Sequence, residues 1–412
     1  MVAETAIGQN VSGQTMLHYY KSWFLIQLDR KEEALAAIRE AEQQLPDCCF
    51  PNVLEAILAL QSVIGFATET PKALYYLGNL WYDKRQYPEA ITCWETSMQQ
   101  DDTFPTVLRN LSLAYFNKLN RQEEAVTLLE KAFALDMTDA RILMELDQLY
   151  KRLNCSHEDR LAFLEKHKDI AFQRDDLYLE YVTLLNQLGQ YEEAIRMIDA
   201  RKFHPWEGGE GKVPAQYQLA RVELVKQLLA EKKYEEALAL IEECFIYPHN
   251  LGEGKLYGAQ ENDFNYHKAC ALSGLGRKEE AMELFLAASI GNSQPAAAMY
   301  YNDQKPDKIF YQGLALRKLE REEEARGRFN NLISYGEKHL YDVFKMDYFA
   351  VSLPDLQIWE DDMNKKNRIH CNYLMALGHL GLGNNEKAMK YFDIAAEMDN
   401  NHQGVQIHQK MI

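Results

Sequence analysis

No run of about eighteen apolar residues occurs in the chain, which excludes a hydrophobic membrane-spanning helix. Basic residues are also scarce: 45 Lys and Arg stand against 62 Asp and Glu, a net charge of −17. That balance argues against general nucleic-acid binding, which needs basic stripes over phosphates, and against docking on anionic lipid. The seven cysteines, with Cys48 and Cys49 adjacent, form no CxxC pair or metal spacing, so reduced thiols in a cytoplasmic protein are expected. The start, MVAETAIGQNVSGQ, has no basic segment followed by an apolar one, so no signal peptide is expected. HExxH, GxSxG and the DxDxDG calcium loop are missing too, and neither a metal nor another cofactor is expected. What the chain does have is 47% hydrophobic residues, enough for a large core.

One phrase recurs: a short turn, acidic residues, an alanine, then a large apolar residue four positions on. It reads LDRKEEALAAI, KRQYPEAITCW, LNRQEEAVTLL, LGQYEEAIRMI, EKKYEEALALI, LGRKEEAMELF, LEREEEARGRF and LGNNEKAMKYF. The alanines are Ala34, Ala90, Ala125, Ala194, Ala237, Ala281, Ala325 and Ala388. Most follow an apolar segment with helical spacing, such as ALYYLGNLWYD (Ala73–Asp83). This pattern resembles the tetratricopeptide repeat (TPR), two antiparallel helices that approach closely over a small residue. The resemblance implies an all-α, right-handed α-solenoid of about nine to ten TPR-like helical hairpins. The acidic residues fall in the first turn of each second helix, where they complement the helix dipole; they are helix starts, not catalytic carboxylates. Gly or Asn of the turn is expected to take positive φ.

The alanine steps are uneven. Ala90 to Ala125 is 35 residues, near the usual repeat, and Ala125 to Ala194 is 69, room for one degenerate pair. From Ala194 the steps are 43, 44, 44 and 63. The reading is therefore regular and degenerate repeats over 1–175, then repeats with enlarged inter-repeat loops over 176–412, in one continuous solenoid. Such insertions fall on one face and are where binding residues gather.

Two loops repeat in register, PWEGGEGKV (Pro205–Val213) and PHNLGEGKL (Pro248–Leu256). A nucleotide loop needs GxxxxGK[ST] after a buried strand. Val213 follows Lys212, Leu256 follows Lys255, and no strand precedes either, so a phosphate loop is excluded. Two readings stay open: tight turns with Lys capping a helix end, or polar groups lining a shared groove through His204, Trp206, Glu207, Glu210, Lys212, His249, Glu253, Lys255 and Tyr257. Counting back from the repeat alanines places Asp263, Asp307 and His370 at equivalent positions near the starts of their helices. Tyr266, Phe310 and Tyr373 follow one turn later on the same face. This column, with His267, Tyr301, Asn302 and Asp303, is expected to line the inner groove. The long segment before the last pair holds Asp347, Tyr348, Asp355, Trp359, Asp361 and Asp362; Pro354 breaks a helix there, so two short helices or a loop folded on the solenoid are expected, with the Asp residues as solvated acid. Tyr19 and Trp23 stand where a chaperone-tail receptor would place basic and Asn groups, so that role is not expected.

The phrases FHPWEGGEGKV, NLGEGKLYGAQENDFNYH, YYNDQKPDKIFYQGLAL, DYFAVSLPDLQIWEDDMNKKNRIHC and LGHLGLG are similar to the C-terminal TPR region of large bacterial proteins. Those proteins carry a β-rich, carbohydrate-enzyme-like N-terminal domain of unknown function. The resemblance implies a cytoplasmic bacterial fragment near carbohydrate metabolism, with any catalytic residues in the domain that this chain lacks. The first functional reading is a binding module that holds a protein or peptide segment, or that β-rich domain, in the groove of residues 200–375. The second is a sugar site completed jointly with that domain; the third is self-association through repeat ends. No catalytic residue is assigned.

Overall fold

Each recurring phrase opens a helix, and each small residue in it is buried. The computed structural model describes residues 14–46, 49–297, 303–344 and 358–412; among them are twenty-one α-helices and no strand. The chain divides into two compact units, one up to Leu146 and one from Asp147 on. The first holds α1 (Gln14–Gln27), α2 (Lys31–Gln43), α3 (Leu54–Phe66), α4 (Pro71–Asp83), α5 (Tyr87–Gln100), α6 (Pro105–Leu119) and α7 (Gln122–Leu135). The division falls inside α8 (Ala140–Arg152). The second unit continues with α9 (His157–Lys166), α10 (Lys168–Ala171), α11 (Asp175–Gln187), α12 (Tyr191–Ala200), α13 (Lys212–Ala230), α14 (Tyr234–Glu243), α15 (Asn262–Gly274) and α16 (Lys278–Ser289). It ends with α17 (Pro306–Lys318), α18 (Glu322–His339), α19 (Met363–Gly381), α20 (Asn385–Met398) and the short α21 (Gln403–Gln409). The fold is thus an all-α array of TPR-like hairpins, and no helix among the described residues is long and apolar enough to cross a membrane.

All eight alanines are at most 2% exposed, and the bulky residue one turn later packs on the preceding helix. Where that helix offers glycine, the ring lies directly on its backbone. A Cβ at Gly78 would sit 2.4 Å from the Trp94 indole, and one at Gly313 2.4 Å from the Phe329 ring. The paired acids behave as helix starts: Glu33, Glu124, Glu280 and Glu324 each meet the Arg three residues before them, on the exposed surface where such pairs contribute little. The turns differ from the expectation of Gly or Asn. Positive φ falls on Gly189, Gly276, Gly383 and Asn120, but also on Asp29, Arg85, Lys232 and Glu320. Each of those four costs about 1–2 kcal/mol of backbone strain. It persists because the next N–H closes a Schellman bond over the turn, as from Lys233 N to Leu228 O at 2.9 Å and Arg321 N to Leu316 O at 2.9 Å.

In the second unit the chain's end returns to that unit's beginning. Asn154 donates to the carbonyls of Glu397 and Met398, and Asn400 Nδ2 donates to the carbonyl of Asn154 at 3.0 Å. Arg160 is fully buried; it holds Asp147 through two nitrogens (3.1 and 2.8 Å), Glu180 at 2.7 Å and the Asn401 side-chain oxygen at 2.8 Å. Burial opposes ionisation of Glu180, but Lys151 and Arg160 outweigh it and draw its pKa down to about 2. Gln216 and Gln403 exchange side-chain amide bonds at 2.8 and 2.9 Å. Trp359, in the segment read as short helices or a loop folded on the solenoid, is 1% exposed, and its carbonyl accepts from Arg152 at 3.0 Å. Asp361 pairs with Arg152 and Lys366, and Asp362 caps α19 by accepting from Lys365 N at 2.9 Å. Asp347, Tyr348, Pro354 and Asp355 lie outside the described residues.

Two substitutions test this packing. A Cβ at Gly378 would lie 2.6 Å from the Phe329 carbonyl oxygen, so Gly378→Ala should cost about 1–3 kcal/mol in urea unfolding. Arg160→Met should cost about 3–5 kcal/mol, because Asp147 is left buried without its bidentate partner. A loss below about 1 kcal/mol would mean that Asp147 escapes to water.

Candidate functional site

The first helices of successive hairpins, α13, α15, α17 and α19, turn one face towards α21, and between them lies a cavity of about 420 Å³. Its wall is unusually rich in charge. Lys226 Nζ meets Glu223 at 2.6 Å, and Lys308 Nζ meets Asp263 at 2.5 Å and Asp307 at 3.6 Å. Burial disfavours the Asp307 carboxylate, but Lys308 and Lys305 outweigh it and hold the pKa low. Partial desolvation, together with the Lys308 ammonium, lowers the pKa of Lys305, although the residue itself is exposed. Burial raises Tyr311 and Tyr373 well above the usual phenol range, so both hydroxyls stay protonated. The Tyr311 hydroxyl is 3.3 Å from His267 Nε2.

The histidines hold fixed hydrogens. His408 Nδ1 lies 2.7 Å from the Gly404 carbonyl, which only accepts, so Nδ1 carries the hydrogen. Burial pushes His408 down to about 4, so the ring is neutral and its Nε2 is a bare acceptor, buried and without a partner. His402 Nδ1 accepts from Val405 N at 3.1 Å, which leaves its hydrogen on Nε2. His370 donates from Nε2 to the Ala296 carbonyl at 2.8 Å. Burial lowers both rings below the usual imidazole range. Among the described residues no cluster of His, Cys, Asp and Glu forms a metal site.

The candidate residues from the sequence fall into several places. Asp263, Asp307, His370 and Tyr373 line the cavity. His267 is buried behind Tyr311, Tyr266 is half-buried among His267, Phe285 and Tyr311, and Phe310 is in the core at 1% exposure. Asp303 gives its carbonyl to Gln260 at 3.0 Å; Tyr301 and Asn302 lie outside the described residues. The two GEGK loops interlock instead around a separate hollow of about 280 Å³, to which His204, Trp206, Glu207, Glu210 and Glu253 contribute. Gly211 N donates to Glu253 at 2.7 Å, Phe203 N donates to the Asn250 carbonyl at 2.8 Å, and His204 is held by Asp175. Gly252, at φ 76°, lies so close to the Phe203 carbonyl that a Cβ would be 2.7 Å from it. Lys212, His249, Lys255 and Tyr257 are exposed; Lys255 pairs with Glu261 and donates to the Phe245 carbonyl at 3.0 Å. No residue lines both hollows.

Lys226, Lys305, Lys308 and the tail residues His402, Gln403 and His408 were not singled out as groove residues from the sequence. Tyr311 was findable, since it occupies in its repeat the place of His267. The tail had no signal, because nothing local marks seven residues that return across the unit.

Residues 263–289 match the family model of the tetratricopeptide repeat. A tetratricopeptide repeat protein from Parabacteroides merdae is similar at 15% identity, over 74% of this chain and 100% of that one, with a TM-score of 0.30. YrrB, described as a TPR protein with an unusual peptide-binding site, is similar at 13% identity over 56% of this chain and 90% of its own, with a TM-score of 0.31. The Naa15/Naa10 structure bound to HypK-THB is similar at 11% identity over 98% of this chain and 61% of that one, with a TM-score of 0.35. Likenesses this low add nothing to the hairpins described above.

His408 predicts a pH response. Its pKa is near 6.5 when unfolded and about 4 when folded, so its contribution is full above 6.5 and fades as the pH falls towards 4. Lowering the pH from 7.5 to 5 should cost on the order of 2 kcal/mol in urea unfolding and lower the amide protection factors in α21, taken relative to the intrinsic exchange rate at each pH. His267, His370 and His402 act in the same direction. His408→Phe should remove part of the dependence; an unaltered profile would show that His408 stays neutral for no energetic reason of docking.

Proposed function

We propose that the chain is a protein-binding helical-repeat module, and that the inner face of its second unit recognises a short helical segment. One observation carries this reading: α21, a seven-residue helix, is already seated there as a segment would be. Its contacts are those of helix-in-groove recognition. Val405 enters the core cluster of α17 to α20, His408 meets the rings of Phe310, Tyr311 and Tyr373, and Gln403 pairs with Gln216. A partner segment of the same kind, with an apolar residue and amide or imidazole groups one turn apart, would compete with α21 for this face. The TPR match at 263–289 lies in the repeat that supplies Asp263 and Phe264 to it. The readings in which the groove holds a β-rich parent domain or completes a sugar site rest only on the loop phrases, and self-association rests only on the repeat ends.

The test is a labelled peptide of residues 400–412 added to a chain ending at Asp399, with circular dichroism confirming its helices. Binding in the micromolar range is expected, at least tenfold weaker to the full chain and lost for the peptide with His408→Asp. A folded truncated chain that ignores the peptide would remove this reading.

A further inference from the structure

We propose that the outward face of α3 is a self-association surface, on which a second copy of this chain lays its own α3 antiparallel. The surface lies within the first unit, so it depends neither on the α21 face of the second unit nor on the stacking of repeat ends.

The helix is out of place in the hairpin array. α3 has no antiparallel partner of its own and packs chiefly on α1 and α4. The side it buries there carries Ala56, Ala59, Leu60 and Val63. Half a turn away stand Leu54, Leu58, Gln61 and Gly65, at helical spacings, and all four are exposed. Leu54 is 68% and Leu58 54% exposed. A helix that is apolar on both sides belongs inside a protein or inside an interface.

Neighbouring residues widen the patch. Burial, and after it the Glu55 carboxylate, raises the Tyr20 phenol, which places Tyr20 of α1 beside the first turn of α3. At the other end Phe66 packs on the cluster of Leu25, Ala34 and Ala37, so the end of α3 meets the end of α1 and the two helices run parallel. Phe24, one turn beyond Tyr20, therefore stands beside Leu58, one turn beyond Glu55. Phe24 is itself exposed, as are Phe50 and Val53, which lead into α3. Together Phe24, Phe50, Val53, Leu54 and Leu58 open on the order of 500 Å² of apolar surface, at the upper end of what a monomer shows and near the apolar share of one side of a standard dimer interface.

Charge and shape identify the occupant. These five residues are uncharged, and the one charged residue of α3, Glu55, lies beside the stripe rather than in it. A partner drawn by the acidic field of this chain would be basic and would need carboxylates within its site. A second copy brings the same net charge of −17 and can close only where both surfaces are neutral. The stripe is also complementary to itself. About a two-fold axis, Leu54 faces the partner's Gly65 and Leu58 faces the partner's Gln61, each contact occurring twice. A Cβ at Gly65 would meet nothing within 4 Å, so this glycine is an open notch for the incoming leucine.

Sedimentation velocity on the full chain tests the proposal. A reversible dimer with a dissociation constant in the micromolar range is expected. Raising the salt from about 0.05 to 0.5 M should tighten it, since screening weakens the repulsion between two acidic copies. Gly65→Leu should weaken the dimer at least tenfold while leaving the circular dichroism unchanged, because in the monomer the new side chain enters open space. Leu58→Asp should weaken it likewise, and Leu256→Asp, at an exposed position of the second unit, should not. Gly65→Leu decides the outcome by itself where Leu58→Asp fails to fold. The proposal is overturned by a chain that stays monomeric at about 100 μM in high salt, by a dimer that salt loosens, or by one that Gly65→Leu leaves intact.

Discussion

Arg160 is the contact on which the second unit depends. Its guanidinium joins three stretches far apart in sequence: Asp147 on α8, Glu180 on α11 and Asn401 just before α21. A fork of five donors is suited to this, because it spans three acceptors in one plane while staying charged. The cost of burying that charge is met only when every partner is present. The return of the chain's end is therefore part of the same network that binds the unit's first helices together. The second unit does not end in an open groove. It is closed by a helix of its own.

That closure changes what the inner face can be. In an open array the polar side chains of successive first helices meet water, and their pKa values stay near ordinary. Here α21 packs against them, so burial drives its own His408 and the His402 that caps it neutral, while Lys308 is shared by two carboxylates. The same helix thus forms one wall of a polar cavity. The GEGK loops are a different construction. Gly211 N on Glu253 and the Phe203–Asn250 backbone bond hold the two loops together, and their conspicuous residues are either exposed or turned into the loops' own hollow.

Much of the hairpin architecture was legible because it is local. Ala90 and Trp94, or Ala325 and Phe329, lie one helical turn apart, and the small-then-large order dictates how closely the preceding helix approaches. Turn chemistry was legible only in part. Lys232 and Glu320 take the strained conformation that composition assigns to Gly or Asn, because the Schellman bond and the packed helices on either side leave them no alternative. Of the column read from repeat register, Asp263, Asp307, His370 and Tyr373 line the cavity, whereas Phe310 turns into the core. Register along a helix places a residue to within a face, and neighbouring helices decide which edge of that face is covered.

The sequence by itself determined the helices, their pairing and the positions of the first-helix polar groups, since each depends on spacings of three, four or about forty residues. Only the tertiary structure decided that Asn401, His402, Gln403 and His408 come to lie among Arg160, Gln216 and Tyr373. Those contacts span separations from 35 to 241 residues. No local pattern encodes them; they depend on how the hairpins between the two ends of the unit stack on one another.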